Sequence, residues 1–299
     1  MHKNNRHIHG YNFDALVEAL PPLKKYIIKN TFNHKATIDF SDPIAVKLLN
    51  FALLKYYYKI TQWEIPEGYL CPAIPGRVDY IHYLKDLLDS HPKTLIKLPK
   101  DINVLDIGSG ASCIYPLLGQ KEYRWRFIAS DIDPISISAA NNIIAANHSL
   151  KNTINCRLQG NNQNIFRGII KVNEFYHLTM CNPPFHKSFN QAQKGSIQKW
   201  KNLKNNQSKQ KGRVNLNFGG QEAELFCKGG ELQFIQNMIK ESRDFKHQVL
   251  WFTCLVSKGE HLKKLQFCLK NSQVTHIKVI KMSQGHKISR FIAWSYHEL

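Results

Sequence analysis

The chain reads as an α/β protein in which a seven-stranded, mostly parallel sheet with a reversed terminal strand follows a helical N-terminal extension. Three observations carry this. From Asp101 onward, β-branched and aliphatic runs begin near residues 102, 126, 153, 177, 248, 274 and 290. Helix-compatible segments follow near 112, 135, 162, 229 and 260, and such alternation means parallel strands joined by crossover helices. The last two runs, Val274 to Lys281 and Ser289 to Tyr296, are separated only by a short turn around Gly285. That is too short for a crossover, so they pair as an antiparallel hairpin ending the sheet.

Residues 1–100 lack this alternation and look largely helical. Asp42-Pro43 is a cap followed by proline at the first helical position, and Ile44, Leu48, Phe51 and Ala52 then share one helical face. The segment from Ile65 to Arg77 contains three prolines and two glycines. It is expected to form an ordered loop packed by its own side chains, with a second helix from about Val78 to Asp89.

In the first strand of the alternating part, Val104-Leu105-Asp106-Ile107 runs into Gly108-Ser109-Gly110. Glycines at the carboxyl end of a parallel strand let backbone approach a ligand. The second run ends at Asp131-Ile132-Asp133, and an acid about 20 residues beyond such glycines suits ribose hydroxyls. Cys113 stands where the third glycine of a dinucleotide-binding turn would be. That argues against a pyrophosphate and for a nucleoside ligand without phosphates, such as S-adenosylmethionine.

The fourth run, His177 to Cys181, ends in Asn182-Pro183-Pro184-Phe185. This tetrapeptide suits methyl transfer to an exocyclic amino nitrogen. The lone pair of an adenine N6 is delocalised into the ring. Acceptors for its two hydrogens let the nitrogen move toward tetrahedral geometry, and a flat apolar surface holds the base. The Asn182 side-chain oxygen and the Pro183 carbonyl can be those acceptors, and Phe185 the stacking face. Two prolines leave a rigid loop presenting carbonyls.

Immediately after this motif the alternation breaks. From His186 to Arg213 there are eight Lys or Arg and no Asp or Glu, with Phe189, Ile197, Trp200 and Leu203 the large apolar residues. The stretch is too polar to form a core. It is expected to be a mobile basic substrate loop, with Lys199, Trp200, Lys201 and Lys204 suited to phosphate contacts and base stacking on single-stranded nucleic acid.

Charge points the same way. With 41 Lys or Arg against 22 Asp or Glu, a formal charge of +19 and a pI near 9.6, a polyanionic partner is expected, nucleic acid above all. The longest apolar stretch, Val249 to Val256, is too short to cross a bilayer, and the N-terminal residues lack the apolar core of a signal peptide. Seven cysteines occur without a C-x-x-C pair. They read as free thiols of a reducing cytoplasm, with neither disulfide nor metal site expected. His2, His7 and His9 have no neighbouring carboxylate or cysteine to complete a metal site, so the N-terminus, with Lys3 and Arg6, reads as a basic arm.

With these residues assembled, the chain resembles the bacterial 23S ribosomal RNA adenine-N6 methyltransferases of the RlmF type. It is also similar to the eukaryotic methyltransferase-like sixteen enzymes. The resemblance covers nearly the full length, through Asn5-Arg6-His7, Ile38-Asp39-Phe40, Ile74-Pro75-Gly76-Arg77, Leu105 to Leu118, Asn182 to Phe185, Leu216 to Gln221, Trp251 to Lys258, Gln284-Gly285 and Ser289-Arg290-Phe291. It implies a class I (Rossmann-like) methyltransferase fold, with residues 1–100 as an RNA-binding extension and 101–299 as the catalytic domain. It further implies S-adenosyl-L-methionine as cofactor and 23S rRNA or a large-subunit precursor as substrate, with the enzyme a monomer.

By the same resemblance Arg77 reaches the methionine carboxylate, for which a bidentate guanidinium is well shaped. Gly108 and Gly110 lie under the methionine and ribose, Asp106 orients the turn or the amino group, and Asp131 binds the ribose hydroxyls. Ile132 and the Leu158-Gln159 segment flank the adenine, and Arg290 and the Gln284-Gly285 turn lie nearby. Two other readings compete: a methyltransferase acting on DNA adenine or a protein glutamine, and a non-catalytic RNA-binding ribosome assembly factor. The glutamine enzymes favour Tyr at the position of Phe185 and are less basic. A pure binder would need neither the acceptor motif nor the ribose acid.

Overall fold

The computed structural model describes every residue except 32–33, 91–100, 185–226, 228, 285–286 and 299. In the extension, α1 (Phe13–Ala19) begins where the Asn12 side chain accepts from Ala15 N–H. A 3₁₀ turn (Pro21–Tyr26) follows it. Two short antiparallel strands come next, β1 (Ile27–Lys29) and β2 (Ala36–Ile38), a hairpin that the helical reading of this region did not foresee. α2 (Pro43–Tyr58) starts as expected, with the Asp42 carboxylate accepting from Ile44 and Ala45 N–H.

α3 runs over Ile74–Asp89, four residues earlier than expected. The proline in the 74–77 segment does not preclude a helix. Pro75 occupies the first turn, where its missing N–H would have had no intrahelical partner and its fixed φ already suits the helix.

The alternating region forms one sheet in the order β5-β4-β3-β6-β7-β9-β8. Its strands are β3 (Asn103–Ile107), β4 (Arg126–Asp131), β5 (Ile154–Leu158), β6 (Tyr176–Cys181), β7 (Val249–Leu255), β8 (His276–Gln284) and β9 (Lys287–Ser295). The first five run parallel, and β9, the last in the chain, is reversed between β7 and β8. Helices α4 (Ile114–Tyr123), α5 (Pro134–Ala146), α6 (Gly230–Ser242) and α7 (His261–Asn271) connect the strands.

The helix expected near 162 is absent; residues 161–172 form bends and turns. The backbone N–H groups of Ile165, Phe166 and Arg167 bond to the buried Glu241 carboxylate of α6 rather than to helical carbonyls. Ile165, Phe166 and Ile169 are thereby turned into the core.

One apolar cluster runs from Leu16, Leu53 and Ile81 of the extension into Leu118 of α4 and Val104, Leu178 and Phe291 of the sheet. Tyr80 of α3 is fully buried against Phe291 of β9, and its hydroxyl bonds with that of Thr253 on β7. The extension therefore shares its core with the sheet, and this holds α3 against it.

Candidate cofactor and acceptor site

β3 lies between β4 and β6, so the connections leaving the carboxyl ends of β3 and β6 run in opposite directions, to β4 and to β7. A crevice opens at such a switch point. Ile107 is in register with Ser130 on one side and Cys181 on the other. The next residues, Gly108, Asp131 and Asn182, thus emerge at adjacent strand ends. Gly108 and Gly110 have φ of +70° and +64°, the left-handed region open to glycine. A Cβ on Gly108 would meet nothing within 4 Å, so the space above this turn is clear. The Ser130 carbonyl pins the turn by accepting from Gly108 and Ser109 N–H at 2.9 and 3.0 Å. Cys113, at the missing third glycine, itself takes φ 50°.

Two carboxylates frame this turn. Asp131 accepts from Gly110 N–H at 2.8 Å through one oxygen and from Asp133 N–H at 3.0 Å through the other. Its burial raises the pKa against these two backbone donors. Asp106 is completely buried, and neither of its oxygens has a hydrogen-bond partner among the described residues. Burial, with the nearby Asp131 charge, holds its pKa well above the usual carboxylate range, while Arg77 pulls it down. The buried Ser109 hydroxyl also lacks a partner among those residues. Buried polar groups are nearly always paired, so this cluster has donor and acceptor capacity left for a ligand.

The extension supplies the facing wall. Arg77, in the first turn of α3, donates to the Tyr115 hydroxyl at 2.9 Å and lies 5.4 Å from the centroid of that ring. It does not pair with Asp79, whose carboxylate instead accepts from His2 N–H and the Asn5 amide. Asn5 also bonds to the Pro75 carbonyl at 2.9 Å, tying the N-terminus to the turn that carries Arg77. Trp63 donates to the Ser112 carbonyl at 3.1 Å, and the Tyr69 hydroxyl donates to Asp133 at 2.8 Å. Sequence reasoning missed Trp63 and Tyr69. The available signal was two aromatics in or beside a Pro- and Gly-rich loop too long to be mere connection.

Ile132 and Leu158, at the ends of β4 and β5, are 45% and 50% exposed. Apolar side chains left this open at strand ends form a face rather than core. Gln159 is buried, and its amide is committed to its own loop, donating to the Arg167 carbonyl and accepting from Asn161 N–H. Leu158 is therefore the side of that segment turned outward.

On the other side of the switch, Asn182 and Pro184 are half-buried and Pro183 is buried directly after β6. Phe185, Lys199, Trp200, Lys201 and Lys204 lie outside the described residues. Beyond β6 the connection after β7 is held from two directions. Buried Glu231 of α6 accepts from Ser257 and Lys258 N–H and bonds to His261 at 2.7 Å. Arg290 of β9 donates to the Val256 and Ser257 carbonyls, which gives this residue a shaping role. The Gln284-Gly285 turn falls largely outside the described residues.

The N-terminus is not a free basic arm. His2 and His7 are buried, His7 bonds to the Tyr58 hydroxyl at 2.8 Å, and Arg6 pairs with Glu122 at 2.9 Å. Buried aromatic and polar partners on α2, α3 and α4 capture the segment, leaving Lys3 exposed.

Comparison with known proteins agrees with this geometry. A profile described as RNA methyltransferase matches residues 1–298. The chain is 62% identical over 300 residues to ribosomal RNA large subunit methyltransferase F of Colwellia psychrerythraea, spanning all of both chains. It is 48% identical to the protein of that name from Pseudomonas aeruginosa, covering 99% of this chain and 88% of the relative. The catalytic domain of human METTL16 in complex with a MAT2A 3′UTR hairpin is similar in fold, with a TM-score of 0.81 and 27% identity, covering 100% of this chain and 96% of that one. The N-terminal domain of human METTL16 in complex with SAH superposes with a TM-score of 0.76 and 26% identity, covering 100% and 99%. The chain belongs to the RNA methyltransferase family.

Proposed function

We propose that this S-adenosylmethionine-dependent methyltransferase modifies N6 of one adenine in 23S ribosomal RNA, either in the mature RNA or in a large-subunit precursor. One observation carries the reading. The Asn182-Pro183-Pro184 turn leaves β6 beside the open Gly108 turn, across the switch point at Ile107 and Cys181.

The residues present fit the cofactor. The Asp106 carboxylate, without a partner among the described residues, suits an ammonium group, and Arg77 a carboxylate. Each Asp131 oxygen accepts one backbone N–H and retains a lone-pair site for a ribose hydroxyl. Ile132 and Leu158 offer apolar faces for a base. S-adenosylmethionine, when bound, supplies an electrophilic sulfonium methyl group.

This chain's own contribution is position and hydrogen-bond acceptance. The Asn182 side-chain oxygen and the Pro183 carbonyl take the two N6 hydrogens, which draws the lone pair out of the ring. Phe185 holds the base by stacking, after the nucleotide has turned out of its own stack. The amine gains a methyl group, becomes cationic and then releases a proton, so an ionised general base is unnecessary. Lys199, Trp200, Lys201 and Lys204 grip the flanking RNA, and the enzyme works as a cytoplasmic monomer.

Transfer of tritiated methyl groups to RNA, DNA and protein fractions tests the substrate class, and mapping of N6-methyladenine in rRNA tests the target. Label is expected in RNA, at one large-subunit adenine that is unmodified in cells lacking the protein. Label confined to DNA or to glutamine would overturn the proposal, and no transfer to any fraction would leave only the binding reading.

A further inference from the structure

We infer that Tyr69, from the extension, is the positioning residue for the ribose acid Asp131. The inference rests on Asp131 binding ribose, as proposed above.

Asp131 is held by two backbone donors on different loops. Gly110 N–H belongs to the turn after β3, and Asp133 N–H to the turn after β4. Tyr69 touches both loops. Its ring is buried against Ala111, the residue after Gly110, and against Ala139 of α5. Its hydroxyl donates to the Asp133 carboxylate at 2.8 Å. That carboxylate also accepts from Ile135 N–H, Ser136 N–H and the Ser136 hydroxyl, so it caps α5. One aromatic side chain therefore spans the two loops whose N–H groups grip Asp131.

The two donors set the plane in which the Asp131 carboxylate faces the crevice. Burial disfavours its charged form, and the backbone donors of the two loops oppose this. Relaxing either loop rotates the carboxylate or favours its protonation, and both outcomes weaken acceptance from vicinal hydroxyls. Within the strand-turn-strand motif the Ser130 carbonyl ties the two loops together at their base. Tyr69 braces them further out, at Ala111 and Asp133, from outside the motif. It thereby makes the extension part of ribose recognition, in addition to the guanidinium that Arg77 contributes.

The test compares two ligands by calorimetry on the full-length protein: S-adenosylhomocysteine and its 2′,3′-dideoxyribose analogue. Wild type should bind the parent more tightly, because Asp131 takes the hydroxyls. Tyr69→Phe keeps the ring packing and removes one hydrogen bond to a carboxylate. It should weaken the parent by roughly 2- to 10-fold and leave the analogue nearly unchanged. Tyr69→Trp, which retains a donor on a bulkier ring, and Asp133→Asn are compared in the same way. Asp133→Asn combined with Tyr69→Phe should lose no more than the larger single effect.

Equal weakening of both ligands by Tyr69→Phe would reduce Tyr69 to general packing and overturn the inference. So would unchanged affinity for the parent in a variant of normal thermal stability. If wild type failed to distinguish the two ligands, the ribose role of Asp131 would fall instead.

Discussion

The rim of the sheet and the extension that faces it build one site in different ways. The rim works largely through backbone. Two left-handed glycines clear space above β3, N–H groups orient Asp131, and a proline carbonyl follows β6. Each of these groups lies within a few residues of the end of its strand, so each leaves a short motif in the sequence. The extension works through isolated side chains: Asn5, Trp63, Tyr69 and Arg77, spread over more than seventy positions and brought together by α2, α3 and a shared core. Chemistry carried by local backbone is readable as a motif, whereas chemistry carried by converging side chains must wait for the fold.

The largest effect comes from the acceptor side of the rim. Asn182→Ala should lower methylation at saturating substrates by roughly 100- to 1,000-fold, the usual cost of removing one preorganised polar group that touches a reacting atom. Binding of S-adenosylhomocysteine should stay nearly as in wild type. Near-normal turnover in the variant would break the amino-acceptor mechanism. Weakened cofactor affinity would show that the rim and the cofactor wall are not separable.

The docked N-terminus can be tested by pH. Burial, with the Arg6 and His82 charges, lowers the pKa of His7 from 6.5 to about 4. An unfolded or detached His7 binds its proton near pH 6.5, and the docked one only near 4. The neutral form is thus the one that docks. Its contribution is fully present above 6.5 and lost as pH falls from 6.5 to about 4. With each pH unit worth about 1.4 kcal/mol, the loss amounts to about 3 kcal/mol. His7→Gln, which can still bond to Tyr58, should flatten the thermal stability profile in that window. An unchanged acid profile would mean that other groups govern it.

Phe185 separates stacking from packing. Base–aromatic stacking is worth roughly 1–3 kcal/mol, so Phe185→Leu should weaken methylation at sub-saturating RNA by that amount, and Phe185→Tyr or Trp by less. Equal activity of the Leu and Trp variants would make the residue a packing element.

How much of this was legible follows from the same contrast. The alternation of runs after Asp101 gave the order of strands along the chain, because crossovers between parallel strands impose it, and the short Gly285 turn gave the hairpin and thereby the reversed β9. The helix expected near 162 failed because a partner from distant sequence, Glu241, took the N–H groups that a helix would have used internally. The start of α3 was hidden because proline breaks helices in most positions, although at Pro75 it begins one. Asp106 and Asp131 were visible from their places at strand ends. That one has no partner among the described residues and the other is clamped from two loops depends on burial and backbone direction, which no spacing encodes. The N-terminal segment looks like a basic arm because its charge is evident in sequence, whereas its partners Asp79, Glu122 and Tyr58 are not.

The smallest expected effect asks whether RNA is held by the rim's basic segment or by the folded surface. Replacing Lys199, Lys201 and Lys204 with Gln removes three of the eight cations between His186 and Arg213. Each cation that no longer neutralises a phosphate of a single strand lowers the slope of log K against log salt by about 0.7. The triple variant should therefore lower it by about 2, with RNA affinity reduced most at low salt and cofactor affinity unchanged. The effect is electrostatic and should fade as salt rises, which distinguishes it from the salt-independent weakening expected of Phe185→Leu. An unchanged slope would move phosphate neutralisation off this segment. The +19 charge would then have to act through exposed cations of the folded part, such as Lys3. Arg6 could take little of that role, since its guanidinium already serves Glu122 and the Tyr57 carbonyl. A further Lys3→Gln substitution would then be the one to change the slope, and RNA binding would belong to the extension after all.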